Sequence, residues 1–241
     1  MIGCSCYVCQ SEDTRDKRLR TSINILTKNT SLQIDIGPDF RQQVLRSQIT
    51  RIDAILLTHH HADHTSGLDE IRAFNFSQDQ LIPIYAENYV LEDLKLRFDY
   101  IFGGVNYPGL PNLKLQLVEP GNSVNISGID VLPVRIMHGE LPILGYRIGN
   151  FAYITDANFI DEVTLSQLQD LDILIINALR QKLHHSHFSL QQSLEMIKVI
   201  NAKKSYITHI SHQMGTHQET ELKLPTNVSL AFDGLILEVN E

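Results

Sequence analysis

Histidines and an aspartate crowd one short stretch of the chain, residues 54–68, which read AILLTHHHADHTSGL. His59, His61, Asp63 and His64 fall within six residues. Neutral imidazoles and carboxylates are ligands that suit Zn²⁺, Mn²⁺ or Fe²⁺. His59 and His61 can point at one ion from an extended turn, and Asp63 and His64 suit a second. The spacing predicts two metal ions, and a solvated polar loop is the plainer alternative.

A second group of metal-type ligands lies at the N-terminus, where Cys4, Cys6 and Cys9 form a CxCxxC pattern. Thiolates suit a closed tetrahedral Zn²⁺ site, which needs four ligands. The chain has three cysteines, so a histidine must complete such a site. An odd, clustered set without a signal pattern argues against a disulfide framework. A structural zinc is the favoured interpretation, and an unstructured terminus with reactive thiols is the alternative.

The first histidine group needs a strand before it and a helix after it. Ala54 to Leu57 have the length and composition of a buried strand, and apolar residues recur at helical spacing from Leu68. Asp35 lies in a second strand pattern, Leu32 to Ile36, and could either orient a metal-ligand histidine or form a strand-end turn. Arg41 could meet an anionic substrate or be a surface charge.

Three more metal-type residues follow later predicted strands. His138 follows the strand pattern 129–136, Asp156 follows 151–155, and His209 follows 205–208. A carboxylate at Asp156 can bridge two cations. Because chemistry in such proteins sits at strand ends, these residues are candidates for the same site. The pattern predicts two sheets packed face to face with helices outside.

The remaining pattern gives further elements. Helices are predicted over 68–80, 90–102 and 159–170, and after a Ser189 cap. Residues 103–111, rich in Gly and Pro, are predicted as a loop that can act as a lid. Strands 228–232 and 235–239 are predicted to close the chain as a hairpin across Asp233-Gly234. His184, His185 and His187 lie in the segment LRQKLHHSHFSL.

Composition bounds the class of protein. With 241 residues, 43% hydrophobic and 20% charged, the chain is long enough for one large domain with a substantial core. It has no apolar run of membrane-spanning length and no signal pattern, so we expect a cytoplasmic protein without a membrane partner. A net charge of −8 disfavours broad nucleic-acid binding.

THHHADH, IMHG, YITDA and ITHISH resemble, in order, the metal-ligand motifs of the metallo-β-lactamase superfamily. The resemblance implies an α+β fold, an αββα four-layer metallo-β-lactamase-type sandwich, as a single domain over 1–241 with an N-terminal zinc-binding segment. It implies two divalent ions, Mn²⁺ or Zn²⁺, in a dinuclear active site. One ion would be held by His59, His61 and His138, the other by Asp63, His64 and His209, and Asp156 would bridge them.

Two further motifs indicate which group within the superfamily the chain resembles. CxCxxC and the SH of ITHISH resemble the PhnP-like phosphoribosyl cyclic phosphate phosphodiesterases. That resemblance implies a structural Zn²⁺ held by Cys4, Cys6, Cys9 and His212, a catalytic role for His187, and a homodimer. Antibiotic-hydrolysing lactamases use a cysteine in the second metal site that this chain lacks. Ribonuclease Z is similar at the metal site, but the chain shows no long basic insertion for tRNA.

These features predict a metal-dependent phosphodiesterase that acts on a small phosphodiester, with 5-phosphoribosyl 1,2-cyclic phosphate as the candidate substrate. Two ions would lower the pKa of a shared water to give hydroxide near neutral pH. The catalytic assignments are His187 and the ligand Asp63. The alternatives are a thioester or lactone hydrolase and a PqqB-like non-catalytic or cofactor-biosynthesis protein. The roles of Asp35, Arg41, His184 and His185 are left open.

Overall fold

The computed structural model describes residues 1–104 and 107–239. The chain divides into two compact units, Arg20–Asp130, here the first unit, and Met1–Leu19 with Val131–Glu241, here the second unit. Each unit has its own core of buried aliphatic and aromatic side chains. The prediction of one domain over the whole chain stays a prediction.

The first unit contains a mixed sheet with short helices. The sheet has the order β1-β2-β3-β4-β5, in which the β1–β2 pair is antiparallel and the later pairs are parallel. Its elements are β1 (Ile23–Leu26), β2 (Ser31–Ile34), α1 (Phe40–Ser47), β3 (Ala54–Leu56), α2 (Ala62–Thr65), a 3-10 turn (Leu68–Ile71), α3 (Arg72–Gln78), β4 (Ile82–Ala86), α4 (Asn88–Arg97), α5 (Asp99–Phe102), β5 (Leu113–Leu117) and the short β6 (Val124–Ile126).

The second unit also has a mixed sheet, with strands in the order β12-β11-β10-β9-β8-β7. Its elements are a 3-10 turn (Thr14–Asp16), β7 (Ile129–His138), β8 (Leu141–Ile148), β9 (Phe151–Ile154), α6 (Glu162–Gln167), β10 (Ile173–Asn177), α7 (Leu190–Ile200), β11 (Lys204–Thr208), a 3-10 turn (His212–Met214), α8 (His217–Glu221) and β12 (Val228–Leu230). α7 begins at the predicted Ser189, which forms a capping box with Gln192.

Strand direction brings the chemistry of each unit to one edge. In the second unit, β7 and β9 are both antiparallel to β8 and therefore run the same way, and β10 and β11 run parallel to β9. The carboxyl ends of these strands consequently meet at one edge, where ligands bind in such sheets. In the first unit, β2 and β3 are parallel, so the residues after both strands share an edge.

The predicted closing hairpin is wrong. Val228–Leu230 forms β12, but no strand follows within the described residues up to 239. Asp233, the expected turn residue, instead accepts a hydrogen bond from the backbone N–H of Leu19 at 3.0 Å. Ile236 is 87% exposed, and Leu235 and Leu237 are only half-buried, so this segment has little buried apolar surface to hold a strand in place.

Smaller differences concern helix bounds. The predicted helix 68–80 is a 3-10 turn followed by α3, and the predicted helix 90–102 is divided into α4 and α5. The predicted lid over 103–111 includes residues 105 and 106, which lie outside the described residues. In the part of the chain that the structure describes, no helix has both the length and the apolar composition needed to cross a bilayer.

Candidate metal centre

The first-unit cluster consists of His59, His61, Asp63 and His64. β3 ends at Leu56, and the chain then turns so that His59 and His64 are buried while His61 and Asp63 are half-buried. The His59 ring lies 4.5 Å from the His61 ring and 4.3 Å from the His64 ring, measured between centroids. Asp63 and His64 lie on the single turn of α2. The motif residues therefore converge within the first unit.

Asp35 orients this cluster from the end of β2. Its fully buried carboxylate accepts hydrogen bonds from His64 Nδ1 at 2.7 Å and from the backbone N–H of Thr58 at 2.9 Å. The proton of His64 is thereby placed on Nδ1, and the lone pair that could bind a metal is on Nε2. Of the two interpretations of Asp35, the structure supports the histidine-orienting one.

The Thr58 hydroxyl extends the same network to His59. Thr58 Oγ1 lies 2.9 Å from Asp35 Oδ2 and 3.0 Å from His59 Nδ1. A hydroxyl has one proton, and the carboxylate can only accept, so Thr58 donates to Asp35 and accepts from His59 Nδ1–H. His59 thus also presents its Nε2 lone pair. One buried carboxylate fixes the tautomers of two histidines.

Two glycines let the histidine loop pack directly on the segment after β2. A Cβ at Gly37 would lie 2.1 Å from the backbone oxygen of Asp63, and one at Gly67 would lie 2.4 Å from the oxygen of Gly37. The Ile36 N–H donates to the His64 oxygen, and the Gly67 N–H donates to the Ile36 oxygen, each at 2.8 Å. The close approach fixes the backbone of α2 relative to β2.

The second-unit cluster consists of His138, Asp156, His187 and His209. Asp156 Oδ1 lies 3.3 Å from His209 Nε2, and Asp156 Oδ2 lies 3.9 Å from both His138 Nε2 and His187 Nδ1. Asp156 and His209 adopt left-handed backbone conformations, with φ of 58° and 53°. Such conformations are uncommon outside glycine and concentrate at functional sites. A carboxylate surrounded by imidazoles is a fitting cation site.

His187 sits deep in this cluster. Its ring stacks on that of His209 with centroids 4.9 Å apart and lies 4.6 Å from that of His138. Burial disfavours the charged form and lowers the pKa of His187 to about 3, although Asp156 acts in the opposite direction. The imidazole is therefore neutral at physiological pH and can donate or accept one hydrogen bond at each nitrogen according to its tautomer.

Backbone contacts hold the second-unit cluster in place. His138 Nδ1 donates to the backbone oxygen of Ser186 at 2.8 Å, which leaves the Nε2 lone pair directed toward Asp156. The buried side-chain amide of Asn177, at the end of β10, accepts from the Ala157 N–H at 2.8 Å and donates to the Ala157 oxygen at 3.0 Å. Asn177 thereby fixes the residue that follows Asp156.

The N-terminal cysteines meet the predicted histidine within the second unit. The donor atoms of Cys4, Cys6, Cys9 and His212 all lie within 4.8 Å of one another. His212 Nδ1 is 3.4 Å from the Sγ atoms of both Cys4 and Cys6. In a tetrahedral zinc site, the bond lengths of thiolate and imidazole ligands place these donors about 3.6 Å apart. The donor set and its spacing both fit Zn²⁺.

The charge state of the Cys6 thiol also fits a metal ligand. A backbone hydrogen bond from Cys9, followed by the hydrogen bond with His212, lowers the pKa of Cys6 to about 6. Cys6 is thus largely thiolate at neutral pH, and the thiolate is the form that binds metals. All three cysteines are free of disulfides.

The remaining predicted residues have different surroundings. Arg41 forms an exposed ion pair with Glu70 at 3.2 Å, which is typical of a surface charge rather than of a substrate contact. The ring of His184 lies 5.1 Å from that of His187 and 4.3 Å from that of His185. His184 is half-buried, its pKa is lowered by desolvation, and His185 is exposed.

Sequence reasoning missed several supporting residues. Thr58, Ser186 and Asn177 bind through short hydrogen bonds, and none belongs to a pattern of ligand-type side chains. Thr58 directly precedes the first histidine of the motif, which is the one signal that could have singled it out. Ser186 acts through its own backbone oxygen on His138, and Asn177 binds the backbone of Ala157, so neither contact left a sequence signal.

A comparison with protein families matches residues 30–210 to the family described as the Beta-lactamase superfamily domain. The match covers most of the chain and includes both sets of strand-end residues. The chain belongs to the metallo-β-lactamase superfamily. This confirms the family and the metallo-β-lactamase-type α+β fold that the motifs predict. The fold implies divalent metal ions, and the imidazole and carboxylate donors of both units fit them.

Two solved structures show which members of the superfamily this chain is similar to. A crystal structure described as a new diphosphatase from the PhnP family is 40% identical, has a TM-score of 0.92 and covers 99% of this chain and 92% of its own. Zn²⁺-bound PqqB from Methylobacterium extorquens has a TM-score of 0.77 at 17% identity, covers 99% of this chain and 95% of its own, and shows the fold alone. The resemblance to the PhnP group is thus confirmed.

A curated relative from Porphyromonas gingivalis, named octanoyltransferase, is 42% identical over 100% of this chain. This chain spans only 49% of that relative's length. The name therefore describes a protein about twice as long, and the activity of that whole protein is not assigned to this chain.

Proposed function

We propose that this superfamily hydrolase is a metal-dependent phosphodiesterase that hydrolyses a small phosphodiester. 5-Phosphoribosyl 1,2-cyclic phosphate is the first candidate substrate, as the PhnP-like motifs imply. The observation that carries the proposal is the paired set of imidazole and carboxylate donors at the strand ends of both units. The 40% identical PhnP-family diphosphatase supports phosphorus as the site of attack.

The ligand assignment follows the family pattern. In this proposal His59, His61 and His138 would hold one cation, Asp63, His64 and His209 would hold the other, and Asp156 would serve both. When bound, two divalent cations would lower the pKa of a bound water and would bind the phosphoryl oxygens. Imidazoles with fixed tautomers, the buried carboxylate of Asp156 and the half-buried carboxylate of Asp63 are suited to hold them.

The chain's own residues then position and stabilise the substrate. A neutral His187 is a poor proton donor, because its pKa is lowered to about 3. Its N–H can still donate a hydrogen bond to negative charge that develops on an oxygen of the substrate. We therefore assign His187 to charge stabilisation rather than to protonation of the leaving oxygen. Asp63 is assigned a role as a metal ligand in the proposed active site.

The experiment is a substrate panel with the metal varied. It compares bis-p-nitrophenyl phosphate, a ribose cyclic phosphate and a diphosphate diester, each with Mn²⁺ or Zn²⁺. Turnover of at least one phosphodiester is expected, with loss on chelation and recovery on readdition of metal. Asp63→Ala should lose this activity, since a ligand is removed. Robust turnover that is unchanged in Asp63→Ala would exclude this site.

A second candidate is hydrolysis of an acyl thioester. A relative from Shewanella baltica named hydroxyacylglutathione hydrolase, 32% identical over 50% of this chain, favours it, since that name denotes hydrolysis of an acylglutathione. The same cations could polarise a carbonyl instead of a phosphoryl group. An octanoyl thioester and a glutathione thioester added to the panel discriminate the two functions. Stoichiometric metal with no turnover of any substrate would favour a non-catalytic, PqqB-like role.

We also propose that Cys4, Cys6, Cys9 and His212 hold a structural Zn²⁺. Cys6→Ser should lower the zinc content by about one ion per chain, because closed thiolate sites bind zinc far more tightly than a hydroxyl variant can. Elemental analysis after mild chelation measures this ion once the active-site metal has been removed. Ser5→Ala, an exposed neighbour within the same turn, is the matched control. Unchanged zinc in Cys6→Ser would contradict the assignment.

A further inference from the structure

The helical turn that carries Asp63 and His64 is too short to be stable by itself. α2 spans Ala62–Thr65, four residues. An isolated helical turn is unfavourable, because several dihedral angles are fixed for a single hydrogen bond. Asp35 holds the His64 side chain, and Ile36 binds the His64 oxygen, so the C-terminal half of the turn is anchored. The backbone before Asp63 needs an anchor of its own.

Arg97, the last residue of α4, supplies that anchor. Its Nη2 atom donates to the backbone oxygen of His60 at 3.0 Å and to Thr65 Oγ1 at 2.9 Å. The buried Thr65 hydroxyl in turn donates to the backbone oxygen of His61 at 2.9 Å. One guanidinium group is thereby connected to the backbone on both sides of His61 and to the end of α2.

Arg97 is itself held in one orientation. Its Nε atom donates to Asp93 Oδ2 at 2.6 Å, one turn earlier on α4, and the two side chains form an ion pair. Its guanidinium carbon also lies 5.5 Å from the ring centroid of Phe98. The Arg97 side chain is 31% exposed and the Asp93 side chain 25%. The pair is therefore partly desolvated and better ordered than an ordinary surface pair.

We propose that Arg97 is a positioning residue that fixes the backbone of residues 60–65 and so sets the metal affinity of His61 and Asp63. The inference rests on the proposed function only in that the first-unit cluster binds metal. A planar guanidinium is required because Nε and Nη2 both contact the Asp93 carboxylate while Nη2 also reaches the loop. A lysine ammonium is a single point charge and cannot serve both directions at this geometry.

The experiment uses the full chain with Arg97→Gln, Arg97→Lys and Asp93→Asn. Lys95→Gln is the matched control, since Lys95 lies on the same helix and pairs with Glu92 at 2.8 Å without reaching the loop. The first readout is amide hydrogen exchange of residues 60–65 in the metal-free protein. The second is the Mn²⁺ concentration that half-saturates the protein, measured beside kcat at saturating metal.

Exchange in residues 60–65 should accelerate in Arg97→Gln and in Arg97→Lys, with the rest of the sheet unchanged. The half-saturating Mn²⁺ concentration should rise by about 10- to 100-fold, as for other groups that orient metal ligands. At saturating metal, kcat should return to within about 3-fold of wild type, because Arg97 acts by positioning and not by contact with substrate. Asp93→Asn should shift both readouts in the same direction, and Lys95→Gln should shift neither.

Unchanged exchange and unchanged Mn²⁺ affinity in a folded Arg97→Gln protein would overturn the inference. A change in Mn²⁺ affinity no larger than that of the Lys95→Gln control would overturn it as well. If the wild-type protein bound no Mn²⁺ and hydrolysed nothing, the proposed function would fail, whereas the exchange measurement would still report on Arg97. The two failures are thus distinguishable.

Discussion

Asp156→Asn is expected to lower kcat about 10³-fold, equivalent to about 4 kcal/mol of transition-state stabilisation. Asp156 is 2% exposed and lies between three imidazoles at 3.3 to 3.9 Å. Asparagine has nearly the same shape but no charge, so the bridge between the two proposed cations is lost. Metal content and kcat on a phosphodiester measure the effect.

The same substitution should leave the metal-free protein at least as stable as wild type. A buried carboxylate carries a desolvation cost that the cations offset when they are bound, and an amide carries less. Thermal unfolding with chelator should therefore show an equal or higher midpoint for Asp156→Asn. Together, lost activity and retained stability mark a functional rather than a structural carboxylate.

Asp170→Asn is the matched control for Asp156→Asn. Asp170 also has a left-handed backbone, with φ of 60° against 58° for Asp156, but its side chain is exposed. Asparagine tolerates this conformation, so neither variant should strain the backbone. The control should retain wild-type activity. An Asp156→Asn protein with wild-type kcat and metal content would refute the proposed role of Asp156.

Gly37→Ala is expected to displace the histidine loop and to destabilise the fold by about 3 kcal/mol or more. The new Cβ would lie 2.1 Å from the backbone oxygen of Asp63, and a backbone atom cannot move aside as a flexible side chain can. Metal affinity should fall together with stability, because Asp63 and His64 move with that backbone. Chemical denaturation and a Mn²⁺ titration of the folded protein measure the two effects.

Gly149→Ala separates this steric effect from the general cost of replacing a glycine. Gly149 lies in the β8–β9 turn with φ of 53°, and an added Cβ would meet no atom within 4 Å. Its loss of stability should be about 1 kcal/mol, from the left-handed conformation alone. Its metal affinity should equal that of wild type. If Gly37→Ala also bound metal normally, the close approach would not be what positions the loop.

Much of the candidate site could be predicted from local pattern. Apolar runs that end in ligand-type residues predicted the strands β3, β7, β9 and β11, and the structure places His59, His138, Asp156 and His209 at or just after their ends. β3 and β9 are buried along their whole length and leave a strong signal, because nearly all of their side chains are apolar. The CxCxxC spacing predicted a zinc site that a histidine must complete, the resemblance to the PhnP-like group named His212, and the structure brings His212 to the three cysteines.

The terminal segment and the bounds of one helix were predicted less well. The terminal hairpin failed because Leu235, Leu237 and Val239 alternate with other residues as in a strand, but within the described residues they form no strand after β12. The helix 90–102 was divided at Phe98, whose backbone leaves the helical region with ψ of 46°. Such boundaries depend on packing partners that a local pattern does not contain.

The sequence by itself determined which residues could bind metal and that they follow strands, since ligand chemistry and strand periodicity are local properties of the chain. Only the tertiary structure decided which nitrogen of each histidine faces the site and what holds the loops. Asp35, Ser186 and Arg97 act through hydrogen bonds to residues 29, 48 and 32 to 37 positions away. Such contacts carry no local periodicity, because they depend on strand order and on how closely two backbones approach.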